Sequence, residues 1–351
     1  MNPRNYLPLF IVLFLFSCQP ERKPDREKGE ILFLELWEIF DQHYAFFELR
    51  EVDWKKEKKQ GLALLKGLEN DSLIFEQICT ILSKFGDAHI NLYANEIGLS
   101  CNAAPLPYFY KEFPTNESFG KFLKARNQSL KKLGITKVLD SKNKIFQYGI
   151  SPSKNWAYFR IKRFYGLPLE AWKVELAEVI QHIKEAEKII IDIRVNPGGN
   201  DPSALEIASY FFQQKEIAFI KQVRNGPDYE DFSEADTTYV IPHPKISLKA
   251  SQVYLLTNGA SGSSADAFAL VMSQLPELKI IGTPTEGIFS DVYRDTLSNG
   301  WSLSLSDERY YGKDLQCFEG KGVPVDVEIE NKKEDVAENK DALIEYLHNE
   351  K

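Results

Sequence analysis

The amino-acid sequence predicts an α/β fold with a largely parallel sheet. From residue 156 onward, apolar runs of strand length alternate with amphipathic stretches of helix length. That alternation is typical of parallel strands joined by crossover helices. The expected strands are 157–161, 188–194, 252–257 and 279–281, the expected helices are 170–186, 203–212 and one starting near 264, and a hairpin over 295–303 and a charged helix over 333–350 follow.

The chain before residue 156 divides into two further regions. Residues 29–95 have a helical pattern, with apolar faces over 30–40 and 62–68, and with a capped helix over 75–85 that ends at Gly86. Residues 96–154 are mixed, with a basic helical piece near 121–132. The predicted division is therefore a helical region (29–95), a connecting region (96–154), an α/β domain (155–330) and a C-terminal helix (331–351).

The first residues indicate export. A basic residue, Arg4, precedes an apolar run over 7–16 that is too short to span a membrane. Leu15-Phe-Ser-Cys18 resembles a bacterial lipoprotein box, although Phe16 is bulkier than usual there. The resemblance implies a signal peptide (1–17), a lipid on Cys18, a polar tether (18–28) and attachment to the cell envelope, in the periplasm or at the outer membrane. The alternative is a soluble secreted protein in which Cys18 is incidental.

Composition excludes several classes of function. The 351 residues are 43% hydrophobic and 27% charged, and the net charge of −8 without a basic cluster argues against nucleic-acid binding. Cys79, Cys101 and Cys317 form no CxxC motif and have no histidine nearby, so neither a metal site nor a cofactor is expected. One disulfide pair remains possible, while the apolar surroundings of Cys79 favour a plain core residue.

A turn rich in serine follows the predicted strand 252–257. Asn258-Gly259 ends the apolar run, three serines follow, and an alanine-rich helical stretch then begins. A serine at such a turn would be exposed beside the free N–H groups of a helix start, which can stabilise an oxyanion. The alternative is an ordinary helix cap, for which serine is also favoured.

A second turn, Asn196-Pro-Gly-Gly199, follows the predicted strand 188–194. Its paired glycines allow close approach of the backbone to a ligand, and exposed N–H groups in such a loop are good oxyanion donors. The alternative is a simple strand-to-helix turn. Because both turns follow parallel strands, they are expected at the same edge of the sheet, where ligands bind in such folds.

A serine nucleophile requires a base, and the chain has five histidines. His89 is the best placed, because it follows a predicted helix end in a Gly-Asp-Ala-His turn where Asp87 could influence its protonation. The alternative is that His89 is an ordinary surface residue.

Four motifs in order then resemble the carboxyl-terminal processing, or tail-specific, serine peptidases. Asp192-Ile-Arg-Val-Asn-Pro-Gly-Gly199 resembles their Asp-Leu-Arg-x-Asn-x-Gly-Gly turn, and residues 257–266 resemble their Ser-Ala-Ser-Ala-Ser-Glu turn. Residues 280–287 resemble their Gly-x-x-Thr-x-Gly segment, residues 318–326 resemble their closing Glu-x-x-Gly-Val-x-Pro-Asp element, and residues 87–89 add an upstream Asp-Gly-His-like element. The resemblance implies the Clp protease/crotonase-like α/β superfold with an N-terminal helical region.

The resemblance also implies roles for individual residues. The family nucleophile lies three positions before an acidic residue, here Asp266, which selects Ser263 over Ser261 and Ser264. The N–H of Ser264, with that of Gly198 or Gly199, would form the oxyanion hole.

The base differs from that of the classical enzymes. Where they carry a lysine, this chain has Ile288. The tricorn-like branch uses an upstream histidine and a closing glutamate, which match His89 and Glu319. No segment resembles a PDZ-type domain, which also fits that branch.

The sequence therefore predicts an exported serine endopeptidase acting on peptides or proteins, in which Ser263 attacks, His89 transfers the proton and Glu319 orients the imidazole. A Ser-Lys mechanism would instead need an unrecognised lysine, such as Lys313 or Lys321. Two other functions stay open: a non-catalytic peptide- or ligand-binding module on the same fold, and a hydrolase of non-peptide esters or amides.

Overall fold

Strands and helices alternate along most of the computed structural model, which describes residues 27–350. The helices are α1 (Lys28–His43), α2 (Trp54–Leu65), α3 (Asp71–Leu82), α4 (Tyr108–Glu112), α5 (Asn116–Lys132), α6 (Leu169–Ile183), α7 (Asp201–Ala208), α8 (Ser264–Met272), α9 (Lys333–Ala337) and α10 (Ala342–Asn349). The strands are β1 (Asn91–Ala94), β2 (Leu99–Asn102), β3 (Leu139–Asp140), β4 (Phe146–Ile150), β5 (Trp156–Ile161), β6 (Lys188–Asp192), β7 (Glu216–Val223), β8 (Asp236–Val240), β9 (Gln252–Thr257), β10 (Leu278–Gly282), β11 (Val292–Thr296), β12 (Ser302–Ser306), β13 (Glu308–Tyr311) and β14 (Val327–Glu328).

The main sheet has the strand order β14-β10-β9-β6-β5-β4-β3. The first five strands are parallel, and β4 and β3 continue the sheet antiparallel at one edge. Ile190 at its centre pairs with Tyr158 on one side and Tyr254 on the other. The predicted α/β fold is confirmed, and the four strands expected from apolar runs are the central parallel strands. Strands buried on both faces need apolar residues at successive positions, which explains those runs.

Helices cover both faces of this sheet. On one face α6, α7 and α8 pack into the largest core cluster, which includes Trp172 and Ile207. On the other face α5 and α10 contribute Leu130 and Leu343. The single C-terminal helix expected over 333–350 is wrong: α9 and α10 are separate, because the chain turns at Asn339 with φ of 57° before Asp341 caps α10.

The N-terminal helices surround a second core. α1, α2 and α3 pack around Trp54 and Phe85 and against the hairpin β11–β12. That hairpin, which the sequence predicts, joins β1 and β2 in a four-stranded sheet of order β11-β12-β1-β2. The helical region is therefore tied to residues about two hundred positions further along the chain. A three-stranded sheet, β13-β7-β8, was not predicted.

Cys79 and Cys101 form a disulfide that links α3 to β2, and Cys317 is free. The interpretation of Cys79 as a plain core residue is wrong, because the antiparallel pairing of β1 with β2 brings Cys101 back beside α3. Cys18 and the predicted signal peptide lie outside the described residues. Within residues 27–350, no helix has the length and apolar character needed to cross a membrane.

Candidate active site

Ser263 occupies a strained position between β9 and α8. Its φ of 58° and ψ of −124° lie outside the regions that non-glycine residues ordinarily adopt. It is the N-cap residue of α8, yet its side chain makes no capping hydrogen bond. The conformation resembles the strained strand-to-helix turn that exposes a nucleophilic serine. The alternative of an ordinary capping serine therefore does not describe Ser263.

The two neighbouring serines have other partners. The Ser261 hydroxyl donates to the carbonyl of Ile193 at 2.8 Å, which fastens the turn to the end of β6. Ser264 is buried, and its hydroxyl faces the carboxyl of Asp201, whose pKa it lowers against the effect of burial. Of the three serines, only Ser263 lines the large cavity described below.

The glycine loop at residues 196–199 packs directly on the serine turn, which is the segment 258–264 between β9 and α8. A Cβ atom on Gly198 would lie 2.6 Å from the Ser263 Cβ and 2.8 Å from the Ser264 nitrogen. Because Gly198 also has a φ of 87°, only glycine fits there without strain. The loop and the serine turn follow the neighbouring parallel strands β6 and β9, as the sequence predicts.

The structure distinguishes the candidate oxyanion donors. The Gly198 N–H donates to the Asn196 side chain at 2.9 Å and is already engaged. Within residues 27–350, the N–H of Gly199 and the N–H of Ser264 at the start of α8 have no protein acceptor. Gly199 also lines the cavity. The free donors beside Ser263 are therefore those of Gly199 and Ser264.

His89 follows the α3 end in a tight turn. Its backbone N–H donates to the buried Asp87 carboxylate at 2.9 Å, and its Nδ1 lies 3.4 Å from the Ser306 hydroxyl. Burial lowers the pKa of His89 below the usual 6.5, although the negative charges of Asp87 and Asp291 oppose the shift. The imidazole is therefore largely neutral at pH 7, as a general base requires.

Ser263 and His89 line one cavity of about 870 Å³ but are not hydrogen-bonded to each other. Ile288 lines it at the position where the resembling enzymes carry a lysine. None of the described residues that line it is a lysine, and Lys313 and Lys321 lie elsewhere. Catalytic hydrogen bonds are often loose until substrate binds.

Glu319 is fully buried in a charged cluster beside this cavity. Its carboxylate accepts from Arg50 at 3.1 Å and from the Phe289 N–H at 2.8 Å. Burial and the nearby Asp87 raise the pKa of Glu319 well above its usual value, and Arg50 opposes the shift. Within residues 27–350, the direct hydrogen bond expected between Glu319 and the His89 ring is absent. Arg50 instead connects Glu319 to the turn before His89, through the Gly86 carbonyl at 3.4 Å.

The acidic residue Asp266 serves as an anchor. Its two carboxylate oxygens accept from the N–H groups of Gly287 and Ile288, at 2.9 and 3.1 Å. Burial raises the pKa of Asp266 to about 6, against those hydrogen bonds. The anchor holds the segment 285–288, which carries Glu286, against the serine turn. Sequence reasoning missed Glu286, although it lines the cavity, because its position in the resembling motif is variable.

Comparisons with known proteins agree with this architecture. Residues 155–329 match the model of Peptidase family S41. The "Probable CtpA-like serine protease" of Staphylococcus epidermidis is 24% identical over 163 residues, which are 46% of this chain and 31% of that protein. The alignment thus spans about a third of the length of the curated relatives that it matches.

Two solved structures cover nearly the whole chain. A candidate peptidase from Parabacteroides merdae ATCC 43184 is 23% identical, with a TM-score of 0.76, and covers 92% of this chain and 96% of its own. Mature CPAF is 13% identical, with a TM-score of 0.67, and covers 91% and 95%.

The fold is therefore the Clp protease/crotonase-like α/β fold with an N-terminal helical region. Within that class, the chain belongs to peptidase family S41 over residues 155–329.

Proposed function

We propose that this protein is a serine endopeptidase with Ser263 as its nucleophile. The observation that carries the proposal is the strained, uncapped Ser263, which shares a cavity with a buried histidine and lies beside two free N–H groups. Membership of a peptidase family supports a peptide or protein substrate.

The proposed reaction has two steps. The Ser263 Oγ attacks the peptide carbonyl carbon while its proton passes to Nε2 of His89, which has no protein partner among residues 27–350. The carbonyl oxygen becomes negative and accepts from the N–H groups of Gly199 and Ser264. His89 then gives the proton to the leaving amine, the C–N bond breaks, and water hydrolyses the Ser263 ester by the reverse proton path.

Glu319 is proposed to support His89 rather than to react. Its hydrogen bonds to Arg50 and to the Phe289 N–H connect the turn that carries His89 to the wall of the cavity. The carboxylate closest to His89 in the hydrogen-bonding network is Asp87. We therefore assign Glu319 a positioning role, with Asp87 stabilising the imidazolium electrostatically.

We further propose the Ser-His branch of the family rather than a Ser-Lys mechanism. Ile288 in the cavity wall and the lack of a lysine among the described lining residues support that choice.

We also propose that the protein is exported and carries a lipid on Cys18. The lipoprotein-like sequence supports it, and so does the Cys79–Cys101 disulfide, because such bonds persist in oxidising compartments. Labelling of expressing cells with an alkyne fatty acid should tag the parent protein and not Cys18→Ala. Equal tagging of both would contradict lipidation at this residue.

A fluorophosphonate probe tests the nucleophile. The parent should be labelled at Ser263, mapped by peptide mass spectrometry, and Ser263→Ala should not be labelled. Ser72→Ala is the matched control, since Ser72 is exposed on α3 and lies outside the turn that carries Ser263. Equal labelling of the parent and Ser263→Ala would refute the assignment. Labelling with ester turnover but no peptide cleavage would identify a non-peptide hydrolase, and binding of peptide without labelling would identify a binding module.

A further inference from the structure

The Glu286 side chain forms part of the cavity wall immediately beside the nucleophile. Its Oε2 lies so close to Gly262, the residue before Ser263, that a Cβ atom on Gly262 would overlap it. Its backbone N–H donates to the carbonyl of Ser261 at 2.9 Å, and Asp266 holds the next two residues. The backbone that carries Glu286 is therefore held by the same residues that shape the serine turn, and its carboxylate lies against that turn.

No positive charge among residues 27–350 compensates this carboxylate. Within residues 27–350 its oxygens have no hydrogen-bond donor and no ion-pair partner. Burial, together with the negative charges of Asp266 and Asp87, raises the pKa of Glu286 to about 7. The other acid in the cavity wall differs, since Asp291 pairs with Lys221 at 2.9 Å. Because Glu286 is partly buried and has no such partner, its ionised form is disfavoured, and a ligand that supplies a positive charge would bind there favourably.

Aromatic rings line the same part of the cavity. Tyr110 lies near Glu286. Burial raises the pKa of Tyr110, and the charges of Glu286 and Tyr165 raise it as well. Both tyrosines line the cavity, together with the apolar residues Leu106 and Ala260. Aromatic faces attract cations, and apolar walls accommodate an alkyl stem. The cavity wall therefore combines the two features that bind a lysine or arginine side chain.

We propose that Glu286 binds a cationic group of the substrate at the residue next to the scissile bond. The proposal rests on Ser263 as the nucleophile, because Glu286 touches the residue before it. The cationic group is a lysine or arginine side chain, or the ammonium of a substrate that begins at this position. Uncharged side chains of the same shape would leave the carboxylate unpaired and would bind more weakly.

Peptide binding tests this without requiring turnover. The full chain carrying Ser263→Ala is titrated with fluorescent peptides acetyl-Ala-Ala-X-Ala-Ala-amide, in which X is lysine, arginine, norleucine, citrulline or glutamate. Lysine should bind at least about tenfold more tightly than norleucine, and arginine than citrulline, since each pair differs mainly in charge. A second, unacetylated series that begins with X distinguishes binding of the N-terminal ammonium from binding of the X side chain, because only this series carries a free ammonium.

Variants of Glu286 assign the preference to this residue. Glu286→Gln should bring each ratio to within about twofold, and Glu286→Lys should reverse it in favour of X as glutamate. Glu185→Gln is the matched control. Glu185 is exposed just before β6, at the amino ends of the parallel strands, and should keep the parent ratios. Thermal unfolding establishes that each variant is folded. Equal binding of charged and uncharged peptides, undetectable binding of all of them, or a preference that survives Glu286→Gln would overturn the proposal.

Turnover by the chain with Ser263 intact separates the two proposals. If both hold, peptides are cut next to lysine or arginine and the selectivity disappears in Glu286→Gln. If charged peptides bind selectively but neither cleavage nor labelling occurs, the cation site stands and the peptidase proposal fails. If Glu286→Gln abolishes cleavage of all peptides while the binding ratios persist, Glu286 acts in proton transfer and the cation site is refuted.

Discussion

The nucleophile and the base of the proposed site are built in different ways. The nucleophile half (residues 193–199 and 257–264) lies at the carboxyl ends of two adjacent parallel strands, inside the region matched by the family model. The base half (residues 44–50, 83–91, 304–306 and 319) is gathered from distant parts of the chain, and His89 contacts Ser306 across 217 positions.

The difference indicates what each half should be sensitive to. The nucleophile half is shaped by backbone geometry, as the positive φ angles of Ser263 and Gly198 show. The base half is held by charges, namely the buried Asp87 and Glu319 and the partly buried Arg50, with the hydroxyl of Tyr44 donating to Asp87 at 3.0 Å. Small volume changes should therefore damage the first half, and changes of charge, pH or redox state should damage the second.

The largest effect is expected from His89→Ala. Without its base, kcat/KM for a peptide substrate should fall by about 10⁴-fold, because nucleophile and base act as a unit. The measurement is a peptide cleavage assay on folded protein. His182→Ala is the matched control, since His182 lies exposed on α6 and should leave the rate within about twofold. A near-normal rate for His89→Ala would point to a different base.

Gly198→Ala should be the next most harmful change. The added Cβ would meet the Ser263 Cβ and the Gly262 carbonyl at 2.6 Å, so the turn must shift and the oxyanion donors with it. We expect kcat to fall by about 10²- to 10³-fold. Gly259→Ala is the control in the same turn, because a Cβ there meets nothing within 4 Å. Equal activity of the two variants would contradict a rigid nucleophile half.

Acid should inactivate the base half reversibly. Since burial holds the pKa of His89 below 6.5, the neutral form predominates at pH 7, and kcat/KM should fall roughly tenfold per unit once pH drops below that pKa. Asp87 and Asp291 raise this pKa while Arg294 and Arg50 lower it, so Asp87→Asn should move the acidic limb to lower pH. The pH profile is measured with uncharged substrate and repeated in Glu286→Gln. If the acidic limb moves in Glu286→Gln but not in Asp87→Asn, the limb reports the titration of Glu286 and not that of His89.

Arg50→Met should destabilise the protein more than it slows the reaction. Removing the guanidinium leaves Glu319 buried and unpaired, which should lower the free energy of unfolding by about 3 kcal/mol at pH 8, with about a tenfold loss of rate. Because Arg50 favours the ionised carboxyl of Glu319 while burial favours the protonated one, the loss of stability relative to the parent should grow as pH rises through the raised pKa of Glu319. Lys340→Met, which breaks an exposed pair with Glu338, should change stability by less than about 1 kcal/mol. If Arg50→Met and Lys340→Met were similarly stable, the base half would not depend on its buried charges for stability.

The smallest effect on rate is expected from removal of the disulfide. Cys79→Ser with Cys101→Ser frees the two ends of the segment that carries His89, and should lower the free energy of unfolding by roughly 3 kcal/mol, measured in urea. Fluorophosphonate labelling of the folded variant should stay within about twofold of the parent. Cys317→Ser is the control, since that thiol is free. A large loss of labelling with unchanged stability would show that the disulfide shapes the site itself.

The sequence by itself determined the parts whose information is local. Apolar runs located β5, β6, β9 and β10, because a strand buried on both faces needs continuous apolar residues. The short turn motifs located the serine-rich turn and the glycine loop, because their backbone conformations depend on glycines and small residues close in sequence, while the resemblance to a known family selected Ser263 within that turn.

Only the tertiary structure decided contacts between distant residues. The pairing of Arg50 with Glu319, the absence of a Glu319–His89 hydrogen bond, and the position of Glu286 in the cavity all depend on how the helical region docks against the hairpin β11–β12 and the α/β domain. No local pattern encodes such pairings, since the sequence separation of Arg50 and Glu319 is 269 residues. The physical reason is that burial, which sets both the partners and the pKa values of these charges, arises only when the chain is packed.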